Sequence, residues 1–507
     1  MKHLLSSLLD GLDYRLIEGK ITADVSAVHY DSRNISEGSL FVCIHGFIVD
    51  GHSYVPDALE KKVAVIVIQN DQTLYTDEQL IEFSKASGVT FIGVPDTRIG
   101  LAKISASFLQ FPASKLNLIG ITGTKGKTTT TYMLHDIFLC AGKNTGLVGT
   151  VANIVAGEVR QASRTTPESY ELQKLLSEMV VAGDDSCIME VSSQGLMLHR
   201  VHGCTFSVGA FTNLYHDHIG EHEHKNMEEY LNAKICIFDQ SSCGVINLDS
   251  PVSDTVIDYA KKKCPVFTYG LSEACDCRAT EINKASRYGI AGSEITITSP
   301  WYQGELFIAL PGKFNVYNAL CAIAVSGLCG IPFDAVKKSL ARVSVPGRLQ
   351  MIRNDKNVTV LVDYAHNAAS LEILLESLRE DCRGRLITVF GCGGNRSKTR
   401  RTEMGEVSGR LSDFTIITSD NPRNEDPADI ISDILSGMTG TSGKYVVEPD
   451  RTKAIEYAIL TAVADDFVII AGKGHENYQI FRDRTIHFDD VEVATQVIET
   501  ITKNEKG

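Results

Sequence analysis

The stretch LIGITGTKGKTTT at residues 118–130 constrains the fold of this chain more than any other. An apolar run leads into a glycine-rich turn, and the turn leads into a helical pattern over residues 132–140. A corner of this kind presents backbone N–H groups and a helix N-terminus to phosphate. Lys127 is placed to reach the β- and γ-phosphate oxygens, and the Thr128 hydroxyl is placed to hold Mg²⁺. The sequence therefore predicts a nucleotide-binding α/β unit around this turn.

The glycine spacing departs from the usual G-x-x-x-x-G-K-[ST] pattern. The first glycine of that pattern falls on Ile121, whereas the glycines are Gly120, Gly123 and Gly126. The alternative is an ordinary strand–turn–helix corner that contains a lysine. Because Gly-x-x-Gly-Lys-Thr directly after an apolar strand is hard to explain by packing, we favour phosphate binding.

Composition and charge narrow the class of protein. A chain of 507 residues is too long for one hydrophobic core, so we expect two to four domains. Hydrophobic residues make up 43% and charged residues 22%, as in ordinary soluble proteins. The net charge of −14 argues against a general nucleic-acid binder, although a local basic pocket can still take an anionic small substrate.

The cysteines and the apolar runs indicate a cytoplasmic protein. The 13 cysteines include no C-x-x-C, which favours reduced thiols over a disulfide framework or a zinc site. Asp10 and Asp13 interrupt the N-terminal apolar run too early for a signal peptide. No apolar run approaches the length of a membrane span.

Residues 1 to about 98 read as a first unit of short strands, turns and helical patterns. Asp31-Ser32-Arg33 falls in a turn, where it is as well explained by a cap or a salt-bridged turn as by a ligand contact. A second unit follows from about residue 99 to 343. In it, residues 164–168 (RTTPE) read as a turn followed by a helix N-terminus, with Pro167 early and Glu168 in the first turn.

Glu190 and the histidine-rich run of the second unit have two readings each, and Lys234 has one. Glu190 ends an apolar strand, which suits a metal-binding position of a P-loop ATPase or a carboxylate exposed to water. The histidine-rich run at 216–224 suggests zinc, but without a Cys or an H-E-x-x-H motif we favour one histidine for Mg²⁺ or phosphate. Lys234 taken alone reads as a surface lysine.

The end of the second unit carries two further patterns. The β-branched alternation at 294–298 predicts an antiparallel hairpin within residues 251–309. A helix predicted over 319–328 follows, and just before it Asn315 and Asn318 lie one turn apart. Their amides could read a nucleotide base or act as caps.

Residues 344 to 507 form a third unit in which strands at 359–363, 386–390, 414–418 and 467–471 alternate with helices. This alternation predicts a mostly parallel, doubly wound sheet whose ligands gather at the carboxyl ends of the strands. Polar or glycine-rich motifs follow each of these strands. They are DYAH at 363–366, GCGGNR at 391–396, SDNPR at 419–423 and GKGHE at 472–476.

Taken together and in this order, the motifs resemble those of the Mur ligases, the ATP-dependent amino-acid-adding enzymes of peptidoglycan synthesis, and in particular the members that make the muramyl tripeptide. The resemblance covers nearly the whole chain. It implies an α/β fold with three domains: a UDP-sugar-binding domain (1–98), an ATP-binding P-loop domain with a mostly parallel sheet (99–343), and a Rossmann-like amino-acid-binding domain (344–507). It further implies a monomer with no nucleic-acid or membrane partner.

The reaction that the resemblance implies brings two anions together. The D-glutamate carboxylate of UDP-N-acetylmuramoyl-L-alanyl-D-glutamate attacks the γ-phosphate of ATP, and the amine of a diamino acid then displaces phosphate from the acyl phosphate. Charge neutralisation by Lys127 and Mg²⁺ is therefore expected to dominate catalysis.

The resemblance also implies residue roles. The catalytic residues are Lys127, Glu190, His218 and Lys234, and the Mg²⁺ ligands are Thr128, Glu190, His218 and Lys234 as a carbamate. The ATP contacts are Gly123, Thr124, Lys125, Gly126, Lys127, Thr128, Thr129, Asn315, Asn318, Arg348 and Asp363. The UDP-sugar contacts are Tyr30, Ser32, Phe47, Ile48, Val49, Thr165, Thr166, Ser192, Leu198 and Arg200. The amino-acid contacts are Arg396, Asp420, Asn421, Pro422, Arg423, Gly472 and Glu476.

Arg423 bears on which amino acid is added. Meso-diaminopimelate carries a carboxylate that lysine lacks, and a guanidinium can bind that group bidentately. The sequence Asp-Asn-Pro-Arg at 420–423 resembles the corresponding motif of the members that add diaminopimelate. The alternatives are a lysine-adding enzyme, or an Arg423 that only pairs with Asp420 or Glu425 in a turn.

Some positions depart from the family pattern. Leu198 stands where some members have Gln, residues 367–369 (NAA) follow His366 where Thr-Pro is usual, and Thr402 replaces a common Pro. Two rival functions are a folylpolyglutamate synthetase-like ligase and a non-catalytic sugar-nucleotide-binding protein. The Asp-Ser-Arg unit argues against the first, and the set of metal-binding residues argues against the second.

Overall fold

A computed structural model describes residues 3–46, 49–217, 219–220, 223–287, 290–354 and 356–506. The chain divides into two compact units, residues 1–275 and 276–507. The α/β fold class expected from the sequence is confirmed in both units.

Unit 1 contains strands β1–β15 and helices α1–α9. The strands are β1 His3–Leu4, β2 Arg15–Glu18, β3 Asp24–Val25, β4 Val28–His29, β5 Leu40–Val42, β6 Val65–Gln69, β7 Thr90–Val94, β8 Asn117–Thr122, β9 Thr145–Val148, β10 Ala152–Val155, β11 Glu158–Gln161, β12 Ser186–Glu190, β13 Val208–Phe211, β14 Gly244–Asn247 and β15 Val266–Gly270. The helices are α1 Leu5–Leu8, α2 Val55–Glu60, α3 Asp77–Ser87, α4 Thr97–Phe108, α5 Lys127–Cys140, α6 Ser169–Ala182, α7 Ser193–Met197, α8 Met227–Ile235 and α9 Ser253–Ala260. Short 3₁₀ turns lie at Ser32–Asn34, Gly51–Tyr54, Pro112–Lys115 and Cys236–Gln240.

Two sheets organise unit 1. The N-terminal sheet has the order β2-β7-β6-β5-β4, and its strands are parallel except β2. The second sheet runs β11-β10-β9-β12-β8-β13-β14-β15 and is parallel from β9 to β15. Glu190 pairs with Ile121, so the carboxyl ends of β12 and β8 lie side by side. This register places a strand-end carboxylate next to the turn at 123–126.

Burial explains why β8 and β12 read as apolar runs. Leu118, Ile119 and Ile121 of β8 are fully buried, as are Ile188 and its neighbours on β12. Parallel strands covered by helices on both faces have no solvent side, so period-2 alternation is lost. Continuous apolar strands that end in polar loops are the result.

Unit 2 contains strands β16–β26 and helices α10–α16. The strands are β16 Cys277–Arg287, β17 Ile290–Thr298, β18 Gln303–Ile308, β19 Gln350–Ile352, β20 Thr359–Asp363, β21 Leu386–Phe390, β22 Phe414–Ile417, β23 Lys444–Val447, β24 Phe467–Ala471, β25 Tyr478–Ile480 and β26 Thr485–His487. The helices are α10 Lys313–Leu328, α11 Phe333–Leu340, α12 Ala368–Asp381, α13 Lys398–Leu411, α14 Pro427–Met438, α15 Arg451–Thr461 and α16 Asp490–Lys506.

The sheets of unit 2 match the sequence analysis closely. β16, β17 and β18 form a three-stranded antiparallel meander where the sequence predicted a hairpin. The second sheet runs β19-β20-β24-β21-β22-β23 and is parallel except for β19. Strands β20, β21 and β24 have the predicted bounds, and β22 ends one residue earlier, at Ile417. The four polar motifs therefore share one edge of this sheet.

Two helix starts differ from the prediction. Helix α10 begins at Lys313 rather than Ala319, because Gly312 precedes it with a φ of +91° and the segment with both asparagines is already helical. Helix α6 begins at Ser169, which makes Glu168 the N-cap residue rather than a first-turn residue.

A fully buried ion pair connects three elements of unit 2. Nε and Nη2 of Arg451 donate to the two carboxylate oxygens of Asp490, each at 2.7 Å. Nη2 of Arg451 also donates to the carbonyl oxygen of Ala471 at 3.0 Å. Both side chains are 0% exposed. Helices α15 and α16 are thereby joined to the end of β24.

Replacing Arg451 with Met should lower the free energy of unfolding by roughly 3–5 kcal/mol, because Asp490 is left buried without a countercharge. Chemical denaturation followed by circular dichroism measures the change. The double variant Arg451→Met/Asp490→Leu should recover most of the loss, since the pair is then replaced by apolar groups.

A control is the exposed pair Arg410–Glu372. Arg410→Met should cost less than about 1 kcal/mol. Equal costs at the two arginines would contradict the assignment of the buried pair as a stabilising centre.

Candidate active site

The turn after β8 depends on two glycines. Gly123 and Gly126 have φ values of +143° and +87°, which favour glycine. A Cβ at Gly123 would also lie 1.9 Å from Oγ1 of Thr212. These positions, rather than Ile121, are where the turn requires glycine. Thr128 and Thr129 are buried in the first turn of α5, which begins directly after Gly126.

Asn213 fixes the turn from the neighbouring strand. The N–H of Thr124 donates to the Asn213 carbonyl, and the N–H of Lys125 donates to its side-chain oxygen, both at 2.9 Å. Sequence analysis assigned Asn213 no role. Its position just after β13, the strand beside β8, is the signal that could have identified it.

Two lysine ammonium groups meet at one carbonyl oxygen. Nζ of Lys127 donates to the Gly123 carbonyl at 2.9 Å, and Nζ of Lys234 donates to it at 2.8 Å. Lys234 is 1% exposed and lies 4.4 Å from the centre of the Tyr230 ring. The surface-lysine alternative is therefore wrong. Burial and the nearby Lys127 lower the pKa of Lys234 well below its usual value, which favours the neutral amine.

Glu190 is a buried carboxylate beside the turn. It is 0% exposed, so the alternative of a solvent-exposed strand end is wrong. Its oxygens accept from Thr128 Oγ1 at 3.0 Å, from the Thr150 N–H at 2.8 Å and from Thr150 Oγ1 at 3.0 Å. Thr128 and Glu190 thus supply adjacent oxygen donors, the chemistry that Mg²⁺ prefers. Thr150 was not assigned a role from the sequence.

The other expected metal ligand, His218, lies outside the described residues. Its neighbour Asp217 is 3.1 Å from Nζ of Lys125, so this segment contacts the phosphate-loop lysine. Among the residues that the structure describes, no three His, Cys, Asp or Glu side chains are grouped as a metal site.

Four of the expected UDP-sugar contacts form one network next to Glu190. The Thr166 hydroxyl donates to the Glu190 carbonyl and accepts from the Ser192 N–H, both at 3.0 Å. Nη1 of Arg200 donates to the Thr166 carbonyl at 3.2 Å, and the Thr165 and Thr150 hydroxyls are 2.9 Å apart. The network links these expected sugar-nucleotide contacts to Glu190, the expected metal ligand.

The remaining expected UDP-sugar contacts have local structural roles or lie apart from this network. Asp31 accepts from the backbone N–H of Arg33 and pairs with its guanidinium at 2.6 Å, which confirms the capped, salt-bridged turn around Ser32. Burial and the nearby Glu171 carboxylate raise the pKa of the Tyr30 phenol. Val49 is exposed and Leu198 ends the α7 turn. Phe47 and Ile48 lie outside the described residues.

The expected ATP contacts of unit 2 form two groups. Asp363 accepts from the N–H groups of Leu349 and Ala365, both at 2.9 Å, and the Arg348 guanidinium lies 4.7 Å from the Tyr364 ring centre. The second group is the asparagine pair.

Asn315 and Asn318 are buried and bonded to each other. Nδ2 of Asn318 donates to Oδ1 of Asn315 at 3.1 Å, and Nδ2 of Asn315 donates to the Pro311 carbonyl at 2.7 Å. Neither amide caps α10, because its N-cap residue is Gly312 and no side chain makes a cap bond there. Base recognition stays a prediction.

The expected amino-acid contacts gather at the ends of β22 and β24. Asp420 and Asn421 are buried, and Nδ2 of Asn421 donates to Glu476 at 2.8 Å. A Cβ at Gly472 would lie 2.9 Å from a carboxylate oxygen of Asp420. Pro422 packs its carbonyl against Gly394, and Arg396 is exposed on the same loop as Gly394.

Arg423 faces this loop rather than its neighbouring carboxylates. Its Nη1 donates to the Gly394 carbonyl at 2.9 Å, and its φ of +53° is uncommon for a residue with a side chain. Glu425 instead pairs with the buried Arg401 at 2.8 Å, which lowers the pKa of Glu425 to about 2. The pairing of Arg423 with Glu425 considered above is therefore not what the structure contains.

Family models match three successive parts of the chain. They are described as "Mur ligase family, catalytic domain" (residues 24–109), "Mur ligase middle domain" (121–326) and "Mur ligase, glutamate ligase domain" (347–474). A relative from Clostridium perfringens, named UDP-N-acetylmuramoyl-L-alanyl-D-glutamate--2,6-diaminopimelate ligase, is 42% identical over 98% of this chain and 99% of its own. A relative of the same name from Caldanaerobacter subterraneus is 41% identical over 97% and 98%.

This chain belongs to the Mur ligase family.

Solved structures agree with the family assignment. A structure of UDP-N-acetylmuramoyl-L-alanyl-D-glutamate--2,6-diaminopimelate ligase has a TM-score of 0.70 and 26% identity, covering 99% of this chain and all of that one. A Mycobacterium tuberculosis folylpolyglutamate synthase shares the fold, with a TM-score of 0.59 at 18% identity over 75% of this chain and 92% of that one. In this Mur ligase, none of the described helices is both long and apolar enough to cross a membrane.

His475 of this Mur ligase should make stability depend on pH. Burial, together with Arg348 and His366, lowers the pKa of His475 to about 4. The unfolded chain, with a histidine pKa near 6.5, then binds more protons between about pH 6.5 and pH 4. The free energy of unfolding should therefore fall by about 2 kcal/mol as pH drops through this window.

Denaturation midpoints at pH 7.0 and 4.5 measure this effect, and His475→Gln should reduce the difference between them. His487, whose pKa is raised by exposed Glu492, serves as a control of opposite sign. His487→Gln should not reduce the difference. An unchanged difference in His475→Gln would show that this histidine is not the source.

Proposed function

We propose that this Mur ligase uses ATP to add meso-diaminopimelate to UDP-N-acetylmuramoyl-L-alanyl-D-glutamate, a step of peptidoglycan precursor synthesis. The observation that carries the proposal is 42% identity along 98% of the chain to a ligase named for these two substrates. The lysines at Gly123, the buried Glu190 and the strand-end pocket around Arg423 support it from the structure.

The first step joins a carboxylate to a phosphoryl group. A D-glutamyl carboxylate oxygen forms a bond to the γ-phosphorus as the bond to the β-phosphate oxygen breaks, and ADP leaves. Both reactants are anionic, so the Lys127 ammonium in the phosphate loop lowers their repulsion. The amine of the diamino acid then attacks the acyl carbon, phosphate leaves, and the amine loses a proton as the amide forms.

Thr128, Glu190, His218 and the Lys234 carbamate would hold Mg²⁺, which when bound neutralises charge on the triphosphate. The donor set of Thr128 and Glu190 fits this ion. Lys234 fits the carbamate because only a neutral amine reacts with CO₂, and burial favours that form. The carbamate would convert a buried cation beside Lys127 into an anionic oxygen ligand.

Arg423 would select the amino acid. Diaminopimelate presents a second carboxylate with an ammonium group beside it. The loops after β22 and β24 carry groups of both signs, the Arg423 guanidinium and the carboxylates of Asp420 and Glu476. A lysine-adding site would leave that guanidinium without a ligand anion. We therefore place lysine as the second candidate substrate.

The rival functions have less support. A folylpolyglutamate synthase shares only the fold, at 18% identity. A sugar-nucleotide binder without activity has no use for buried Glu190 and Lys234 beside a phosphate loop. The domain bounds 1–98, 99–343 and 344–507, the monomeric state and the cytoplasmic location remain predictions.

The choice of amino acid is tested by phosphate release from ATP with Mg²⁺ and the UDP-muramoyl dipeptide. Meso-diaminopimelate should give at least tenfold higher kcat/KM than lysine or ornithine, because only it places a carboxylate on Arg423. Preference for lysine would refute the proposed specificity, and no phosphate release with any amino acid would refute the ligase function.

Arg423→Ala should raise the KM for diaminopimelate by roughly tenfold or more while the KM for ATP stays within about twofold, since a charge-assisted pair contributes about 1.5–3 kcal/mol. Steady-state kinetics with each substrate varied in turn measures both constants. Arg383→Ala, at an exposed arginine elsewhere in unit 2, is the matched control. Equal increases in both constants would mean that Arg423 has a structural role.

A further inference from the structure

Three arginines surround one buried carboxylate in unit 1. Glu168 accepts from Arg164 Nη1 at 2.7 Å and from Arg200 Nη2 at 2.8 Å, and Nη1 of Arg98 lies 3.6 Å from its other oxygen. We refer to these four residues as the arginine cluster. Three guanidinium groups therefore meet at one carboxylate, and the carboxylates of Asp96 and Glu171 lie near enough to interact with Arg98 and Arg164.

The Glu168 side chain is bonded to the arginine cluster and not to the backbone of helix α6. Glu168 is the N-cap residue of α6, yet its side chain accepts none of the N–H groups of that helix. Ser, Thr, Asp and Asn are the residues that usually accept such bonds. The Glu168 carboxylate, only 9% exposed, is directed to guanidinium groups from three separate segments. It therefore joins the segments that carry the three arginines.

Arg200 has hydrogen-bonding capacity left over. Its side chain is 8% exposed, and its Nε has no hydrogen-bond partner among the residues that the structure describes. A buried donor without an acceptor is unfavourable, so an acceptor from a ligand is expected here. Nη1 of the same guanidinium contacts the carbonyl of Thr166, whose hydroxyl contacts Glu190.

Arg98 connects the arginine cluster to the loop that follows β5. Its Nη2 donates to the carbonyl of His45 at 3.3 Å, just before the segment that includes Val49. Arg164 immediately precedes Thr165 and is half exposed, with 50% of its side chain accessible. The arginine cluster thus lies among the expected sugar-nucleotide contacts. Of its members only Arg200 is one of those contacts, and Arg98, Arg164 and Glu168 are not.

We propose that Glu168 is a positioning residue that holds Arg98, Arg164 and Arg200 as one cationic site for an anionic group of the UDP-muramoyl dipeptide. The inference rests on the proposed function. The group is an oxyanion, either the diphosphate or a glutamyl carboxylate, because both accept charge-assisted bonds from guanidinium groups.

Glu168→Gln separates positioning from simple charge. Removing a negative charge makes the site more positive, so a purely electrostatic role would lower the KM for the UDP-muramoyl dipeptide. Loss of the carboxylate that organises three guanidinium groups should instead raise that KM by roughly tenfold, since each charged hydrogen bond contributes about 1.5–3 kcal/mol. The KM values for ATP and diaminopimelate should stay within about twofold. An unchanged or lower KM for the dipeptide overturns the proposal.

Two further variants keep the test decisive. Glu178→Gln removes another glutamate that pairs with an arginine, Arg160, and should leave all three KM values unchanged.

Arg164→Met changes a half-exposed residue, so the protein should fold even if Glu168→Gln does not. It should raise the KM for the dipeptide about fivefold, in keeping with one lost charge-assisted contact, without changing the melting temperature. No change in that KM overturns the proposal.

Calorimetry identifies which oxyanion binds. UDP-N-acetylglucosamine carries the diphosphate but no carboxylate. If Arg164→Met weakens its binding as much as that of the dipeptide substrate, the diphosphate occupies the cluster; if only the dipeptide substrate is affected, a glutamyl carboxylate does. Either result supports an oxyanion site. Wild-type turnover with unaffected variants refutes this inference alone, whereas absence of wild-type turnover refutes the proposed function.

Discussion

The carbonyl oxygen of Gly123 accepts hydrogen bonds from two lysines, and the arrangement of unit 1 depends on this contact. Lys127 reaches it from the first turn of α5, and Lys234 reaches it from α8. Two ammonium groups at one oxygen repel each other, and one of them is almost fully buried. Neutralising Lys234 relieves both the repulsion and the desolvation cost, and the chemistry proposed for this lysine follows from that strain.

Strand register brings the other groups to the same place. Because β8, β12 and β13 are parallel neighbours, their carboxyl ends deliver the glycine turn, Glu190 and Asn213 side by side. The same rule operates in unit 2, where the neighbours β20 and β24 deliver Asp363 and Gly472, and β22, beyond β21, delivers Asp420 at the same edge. In each unit the sheet fixes the positions, and the loops supply the chemistry.

Patterns local in sequence were predictable, and contacts between distant segments were not. The apolar runs of β20, β21 and β24 defined their bounds, since a buried parallel strand has a distinct composition. The positions of the glycine turn after β8 and of the polar strand-end motifs were likewise predictable from the sequence. Sequence alone left open whether Glu190 and Lys234 are exposed, because burial depends on what packs over them. Thr150 and Asn213 carried no motif, and their roles arise only from the register of adjacent strands.

The bond between Arg451 and Asp490 gives the last helix a role that its sequence does not suggest. Asp490 opens α16, and its countercharge holds a guanidinium against the carbonyl of Ala471, the residue before Gly472. Proteolytic trimming of the chain ahead of α16 would leave that guanidinium buried without its countercharge at the end of β24. Helix α16 therefore limits how far the C-terminus can be shortened or fused without disturbing the segment that begins with Gly472.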